Sequence, residues 1–160
     1  MKLTVFTDDD KELLISWVPS AEFNHLWSGD RFVFPIDDKQ LSKHLLQKQV
    51  TPLILQQGEK KLGYIELYRE SESTYRLCRV LIGEPSIRGQ GFGKKMVELA
   101  EEYARTTLNA KHLKLTVFEH NLKARRCYES LGFMVCERVS SFKATNGDLW
   151  TALYMKKSLN

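Results

Sequence analysis

One short segment constrains this chain more than any other: Ile82-Gly83-Glu84-Pro85-Ser86-Ile87-Arg88-Gly89-Gln90-Gly91-Phe92-Gly93-Lys94-Lys95. It follows the apolar run Val80-Leu81-Ile82, which reads as the end of a strand. It opens a stretch in which Phe92, Met96, Leu99, Ala100, Tyr103 and Ala104 recur at helical spacing. Glycines at a strand-to-helix junction let backbone N–H groups turn towards a ligand, and the helix start adds a positive dipole end. Arg88 and Lys94 add charge, so the segment reads as a phosphate or pyrophosphate cradle. Two common cradles fail on specific residues. A P-loop ending in Gly93-Lys94 needs glycine at 88 and Ser or Thr at 95, where Arg88 and Lys95 stand. A dinucleotide fingerprint fits Gly89 and Gly91 but meets Lys94 where its third glycine belongs, and the preceding strand reads as antiparallel.

The rest of the chain supplies a mixed order of elements. Leu3–Phe6 reads as a first strand. Asp9 with Glu12 makes a capping box for a helix carrying Leu13, Leu14, Trp17 and Val18, ended by Pro19. Residues 20–36 read as irregular and aromatic-rich. Asp37 with Gln40 makes a second box, for a helix through Leu41, Leu45 and Leu46. Leu53–Gln57, a Gly58-Glu59-Lys60 turn and Leu62–Arg69 read as a hairpin, with Tyr75–Ile82 as the next antiparallel strand. After the glycine-rich segment and its helix come a strand at Leu113–Phe118 and a short helix at Asn121–Leu131, stopped by Gly132. Strands at Phe133–Val139 and Trp150–Lys156 close the chain around an Asn146-Gly147 turn. This is an α/β (α+β) order around one sheet. With 160 residues and no linker or repeat, it predicts a single domain over 1–160.

Charge and cysteines narrow the function. Residues 1–80 hold 11 Lys+Arg against 12 Asp+Glu, and residues 81–160 hold 13 against 8. That positive half is too mild and too mixed in sign for a nucleic-acid platform, but it suits a small anionic ligand. Cys78, Cys127 and Cys136 are odd in number and lack a Cys-x-x-Cys spacing, which predicts reduced thiols in a cytoplasmic protein. The histidines His25, His44, His112 and His120 show no ligand spacing with them, so no metal is expected. No apolar run is long enough to span a bilayer, and the N-terminus does not read as a signal peptide.

What does fit the loop is Arg-x-x-Gly-x-Gly, as Arg88, Gly91 and Gly93. This resembles the acyl-CoA pyrophosphate loop of the GNAT superfamily of N-acyltransferases, in the branch near ribosomal-protein N-terminal and aminoglycoside-type acetyltransferases. A second stretch, Asn121-Leu122-Lys123-Ala124-Arg125-Arg126-Cys127-Tyr128-Glu129-Ser130-Leu131-Gly132-Phe133, is similar to the helix that follows the fifth strand in that superfamily. Asn121, Ala124 and Tyr128 fall on one helical face over two turns. Pantetheine is a pair of amides, so Asn121 would partner it, although Asn121 also reads as a plain helix cap. Ala124 would let the cofactor come close, and Tyr128 would protonate the leaving thiolate.

The resemblance runs from about Leu53 to Phe133 and implies a GNAT-like fold. That is a mixed, mostly antiparallel sheet of about seven strands flanked by about four helices, splayed after the strand ending near Ile82. It implies acetyl-CoA as co-substrate, with no metal. The cofactor would lie against the backbone of Leu81, Ile82 and Gly83 and against Arg88, Gly89, Gln90, Gly91, Phe92, Gly93 and Lys94, with Asn121, Ala124 and Tyr128 at its pantetheine arm. The reaction implied is direct attack by a primary amine in a ternary complex, without an acyl-cysteine at Cys78 or Cys127. Glu84 and Glu66 are the candidate general bases, with His120 a lesser one. The acceptor, a small amine or a protein N-terminus, stays open. So do a monomeric or homodimeric state and the alternative of a non-catalytic acyl-CoA-binding module. Trp17, Phe23, Trp27, Phe32, Phe34 and Trp150 would wall an acceptor pocket or simply fill a core.

Overall fold

The period-2 segments assemble into one sheet of seven strands in the order β1-β2-β3-β4-β5-β7-β6. The computed structural model describes residues 1–144 and 146–160. The strands are β1 (Lys2–Val5), β2 (Val50–Gln57), β3 (Lys60–Arg69), β4 (Thr74–Ile82), β5 (His112–Phe118), β6 (Met134–Lys143) and β7 (Leu149–Ser158). Every neighbouring pair is antiparallel except β4 with β5, which is parallel. A parallel pair needs a crossover. Here it is α4 (Phe92–Thr106), entered through the glycine-rich segment.

The sheet is covered on both faces. Under α4 and α5 (Leu122–Ser130) lies one core, with Leu55, Ile65, Leu67, Met96, Leu113 and Leu153 almost fully excluded from water. Met96, Val97, Ala100 and Ala104 form the buried stripe of α4, and its alanines let the helix lie close on the strands. The second core lies under α1 (Lys11–Ser16), α2 (Ala21–Ser28) and α3 (Asp38–Leu45), and gathers Phe6, Leu14, Trp17, Phe32, Leu41, Ile54, Tyr64 and Leu81. β3 and β4 serve both layers by alternation, Ile65 facing one core and Tyr64 the other.

Four local expectations are corrected. A fifth helix, α2, occupies residues expected to be irregular. Ser20 caps it by accepting the Phe23 N–H at 3.1 Å, and Gly29 ends it. Its helical signal was Phe23, Leu26 and Trp27 at i, i+3 and i+4. The first capping box is Thr7 with Asp10, not Asp9 with Glu12, because the chain enters a short 3₁₀ turn at Asp8–Asp10 straight after β1. Asp10 accepts the Thr7 N–H at 2.8 Å and pairs with Lys61 of β3, which buries it. The second box is half formed. Asp37 accepts the Gln40 N–H at 2.8 Å, but the Gln40 side chain binds the backbone of Val33 and Pro35 instead. The closing hairpin is also longer than expected, running to Lys143 and from Leu149.

Candidate active site

The parallel pairing of β4 with β5 runs from Thr74↔His112 to Leu77↔Leu115 and stops. Past that point β5 continues beside β7 to Phe118↔Ala152, and β4 continues beside β3 to Ile82↔Gly63. The sheet therefore opens between two strands that each keep one partner. The cause is legible in the register. Cys78 faces Glu66 and Leu81 faces Tyr64, so β4 carries one extra residue there, a β-bulge. Arg79 sits in it at φ +51, a left-handed conformation that costs a non-glycine residue roughly 1–2 kcal/mol.

A buried charge network holds the bulge. Glu66 has no exposed surface. Its Oε2 accepts from Arg79 Nε at 2.7 Å, and Arg79 Nη2 lies 2.5 Å from the same oxygen. Its Oε1 accepts from the Tyr64 hydroxyl at 2.7 Å and lies 2.9 Å from His44 Nε2. Gln47 Nε2 approaches His44 Nδ1 at 3.0 Å, which makes Nε2 the ring's donor to Glu66. Burial alone would raise the Glu66 pKa. The His44 hydrogen bond and the Arg79 charge reverse that and hold it at about 2.

The opening is a cleft of about 400 Å³. One wall is the free edge of β4 from Cys78 to Ile82, and the other is Thr116, Val117 and Phe118 of β5. Gly83 donates its N–H to Leu62 of β3 at 2.9 Å. In an antiparallel pair the N–H direction alternates, so the Ile82 N–H points away from β3 and into the cleft. The Gly83 N–H is therefore committed to β3 and is not offered to the cleft. The role of Gly83 is close packing: a Cβ there would lie 2.0 Å from the Trp17 ring.

α5 closes the cleft. Tyr128 lines it, is 7% exposed, and makes no side-chain hydrogen bond among the described residues. Burial pushes its phenol well above the ordinary tyrosine value, so it stays a proton donor at neutral pH. Asn121 caps α5, its Oδ1 accepting the Ala124 N–H at 3.4 Å, and it also lines the cleft with Ala124. The cap uses the Asn121 oxygen and leaves its Nδ2 group out of that bond. Cys78 lines the cleft too, but burial pushes its thiol up to about 11, which disfavours a thiolate nucleophile.

At the far end of the β4 edge the glycine-rich segment turns into α4. Gly91 is the N-cap at φ +86, and no atom lies within 4 Å of where its Cβ would be. The same holds at Gly89, with φ +79. The first-turn N–H groups after Gly91 have no intrahelical acceptor and face open space, the arrangement that binds an anion. Gln90 Nε2 donates to Ser86 O at 2.9 Å and latches the loop. Arg88 is directed elsewhere than to an anion. Its Nε and Nη2 donate to the carbonyls of Ile82 and Gly83, both at 2.9 Å, and its guanidinium lies over the Phe23 ring. It ties the loop to the strand end.

Neither expected base is at hand. Glu84 is exposed and outside the cleft lining. Glu66 is sealed from water and bonded on both oxygens, so accepting a proton would dismantle the bulge's clamp. His120 is exposed and meets Trp150 edge to face at 4.5 Å between ring centroids. The sequence reading missed Arg79, His44 and Tyr64. A glutamate inside the apolar run Tyr64-Ile65-Glu66-Leu67 was the available signal, because a buried carboxylate demands partners.

Comparison with known proteins agrees with this geometry. The aminoglycoside N(6')-acetyltransferases type 1 of Klebsiella pneumoniae and Serratia marcescens are each 25% identical over 96% of this chain and 80% of their own length. The structure of a spermidine N-acetyltransferase from Vibrio cholerae in complex with CoA and spermine matches with a TM-score of 0.83 at 21% identity, over 99% of this chain and 95% of that one. An aminoglycoside acetyltransferase in complex with coenzyme A matches at 0.77 and 24%, over 98% and 94%. Residues 17–133 match the acetyltransferase (GNAT) family, and the chain belongs to that family of acetyl-CoA-dependent enzymes, which acetylate an amine.

Proposed function

We propose that the splayed edge of β4 seats acetyl-CoA, with the pyrophosphate on the Gly89–Lys94 amides and the pantetheine arm along Cys78–Ile82. The observation that carries this is the end of β4–β5 pairing at Leu77↔Leu115, which leaves a strand edge open towards an anion-binding helix start. An extended diamide fits such an edge by adding to it as a strand. Asn121 Nδ2 supplies a further donor, and Ala124 keeps the approach clear.

The acceptor amine attacks the thioester carbonyl in a ternary complex. N–H groups turned out of the bulge stabilise the oxyanion, and Tyr128 gives its proton to the departing thiolate. Glu66 positions the bulge through Arg79, which is a better account of its burial than a role as base. The three cysteines are free, which suits a reducing, cytoplasmic setting. Among the described residues no helix is long and apolar enough to cross a membrane. A monomer or a homodimer is compatible with a cleft built from β4, β5 and α5 of one chain.

Calorimetric titration with acetyl-CoA, with ATP and NAD as controls, tests the reading. Selective micromolar binding of acetyl-CoA is expected. Equal binding of ATP, or none of acetyl-CoA, overturns it.

A further inference from the structure

Among its described residues the cleft is lined by arginines and by no carboxylate. Arg76, Arg79 and Arg88 line it, and none of its described lining residues is Asp or Glu. The carboxylates nearest these arginines are already committed. Glu66 is sealed behind Arg79, and Glu70 holds Arg76 at 2.6 Å and Lys114 at 3.1 Å. Arg88 meets only carbonyl oxygens and the Phe23 ring. Two of the ring faces are also taken: Phe23 lies under Arg88, and Trp27 stacks on Phe32. Phe118 meets Trp150 and Phe142 edge to face. A polyammonium acceptor would lose its water here and find no counter-ion among the described lining residues.

Proton balance points the same way. When a neutral amine attacks, the C–N bond forms, the C–S bond breaks, and the nitrogen loses one proton while the sulfur gains one. Tyr128 gives its proton to the sulfur and recovers one from the nitrogen through water, so no external base is needed. An ammonium brings one proton more, and the cleft holds no carboxylate to take it. At pH 7.4 an α-amino group is about one quarter neutral, while a lysine-like alkylamine is about one-thousandth neutral.

Resting on the proposed acetyl-CoA site, we infer that the acceptor is a weakly basic amine, of α-amino strength, carried on a neutral or anionic body. It is not a polycation of the kind named for the relatives. The apolar walls from Phe118 and Phe142 take its side chain.

The test measures thiol release from acetyl-CoA at pH 7.4 with phenylalanylglycine, n-butylamine, spermidine and kanamycin, beside acetyl-CoA binding by calorimetry. The dipeptide should exceed n-butylamine and spermidine by about 250-fold in kcat/KM, the ratio of the neutral fractions, and should exceed kanamycin as well. The pH profile of kcat/KM should rise through each acceptor's own pKa. Spermidine or kanamycin matching the dipeptide overturns the inference. So does a rise at the same pH for dipeptide and butylamine, which would report an enzyme base. So does failure of the dipeptide to react while acetyl-CoA binds. Absence of acetyl-CoA binding is the separate failure of the underlying site.

Discussion

The two ends of β4 make a comparison inside one strand. Tyr75–Leu77 is paired on both sides, with β3 and with β5. Cys78–Ile82 is paired only with β3. Both ends have strand-forming composition, and nothing in their alternation separates them. The difference is the single extra residue at Arg79, held in a left-handed conformation by a carboxylate on the neighbouring strand. The closed end stabilises the sheet, and the open end leaves the free edge proposed for acetyl-CoA. The local strain at the bulge is offset by a buried ion pair.

The largest expected effect is at the open end. Gly91→Val should abolish acetyl-CoA binding in calorimetry, because it fills the space beside the helix start and loads a β-branched residue onto φ +86. Stability should fall by only about 1–2 kcal/mol, so circular dichroism should still report a folded chain. Retained affinity would detach the loop from the cofactor.

Next is Tyr128→Phe, for which kcat should drop about 10²- to 10⁴-fold while the acetyl-CoA Kd stays nearly constant. An unchanged kcat would remove the acid role.

Glu66→Gln attacks the clamp. Leaving Arg79 buried without its counter-charge should cost about 3–5 kcal/mol in urea unfolding at pH 7. The sign of the pH dependence follows from a folded pKa of about 2 against 4.5. The Glu66 contribution is fully present above pH 4.5 and is lost as pH falls towards 2. It amounts to about 3 kcal/mol. The variant should lack that slope, and an unaltered acid profile would place the acid-sensitive group elsewhere.

The smallest effect is expected at Glu84→Gln. An exposed side chain outside the cleft should change kcat/KM by no more than about twofold. A large loss, with acetyl-CoA binding intact, would restore Glu84 as the base.

Much of the proposed cofactor side was legible in the chain. Arg88, Gly91 and Gly93 announced the loop because an anion site built from backbone N–H groups needs particular residues at fixed local spacing. Asn121 and Tyr128 were legible for the same reason, since helical periodicity fixes one face. α2 was hidden because its spacing was read as aromatic richness. The acceptor side was not legible. Its arginines come from β4 and the loop, their partners from β3, α3 and the chain between strands, and no local pattern pairs residues so far apart.

The sequence by itself determined the sheet's strands, the crossover helix and the backbone cradle, because each depends on near neighbours through periodicity, capping or positive φ. Only the tertiary structure decided where β4 leaves β5, that Glu66 is a clamp, and that Arg88 binds carbonyls. Those outcomes depend on which distant groups share a buried space, and charge inside a protein is governed by what surrounds it.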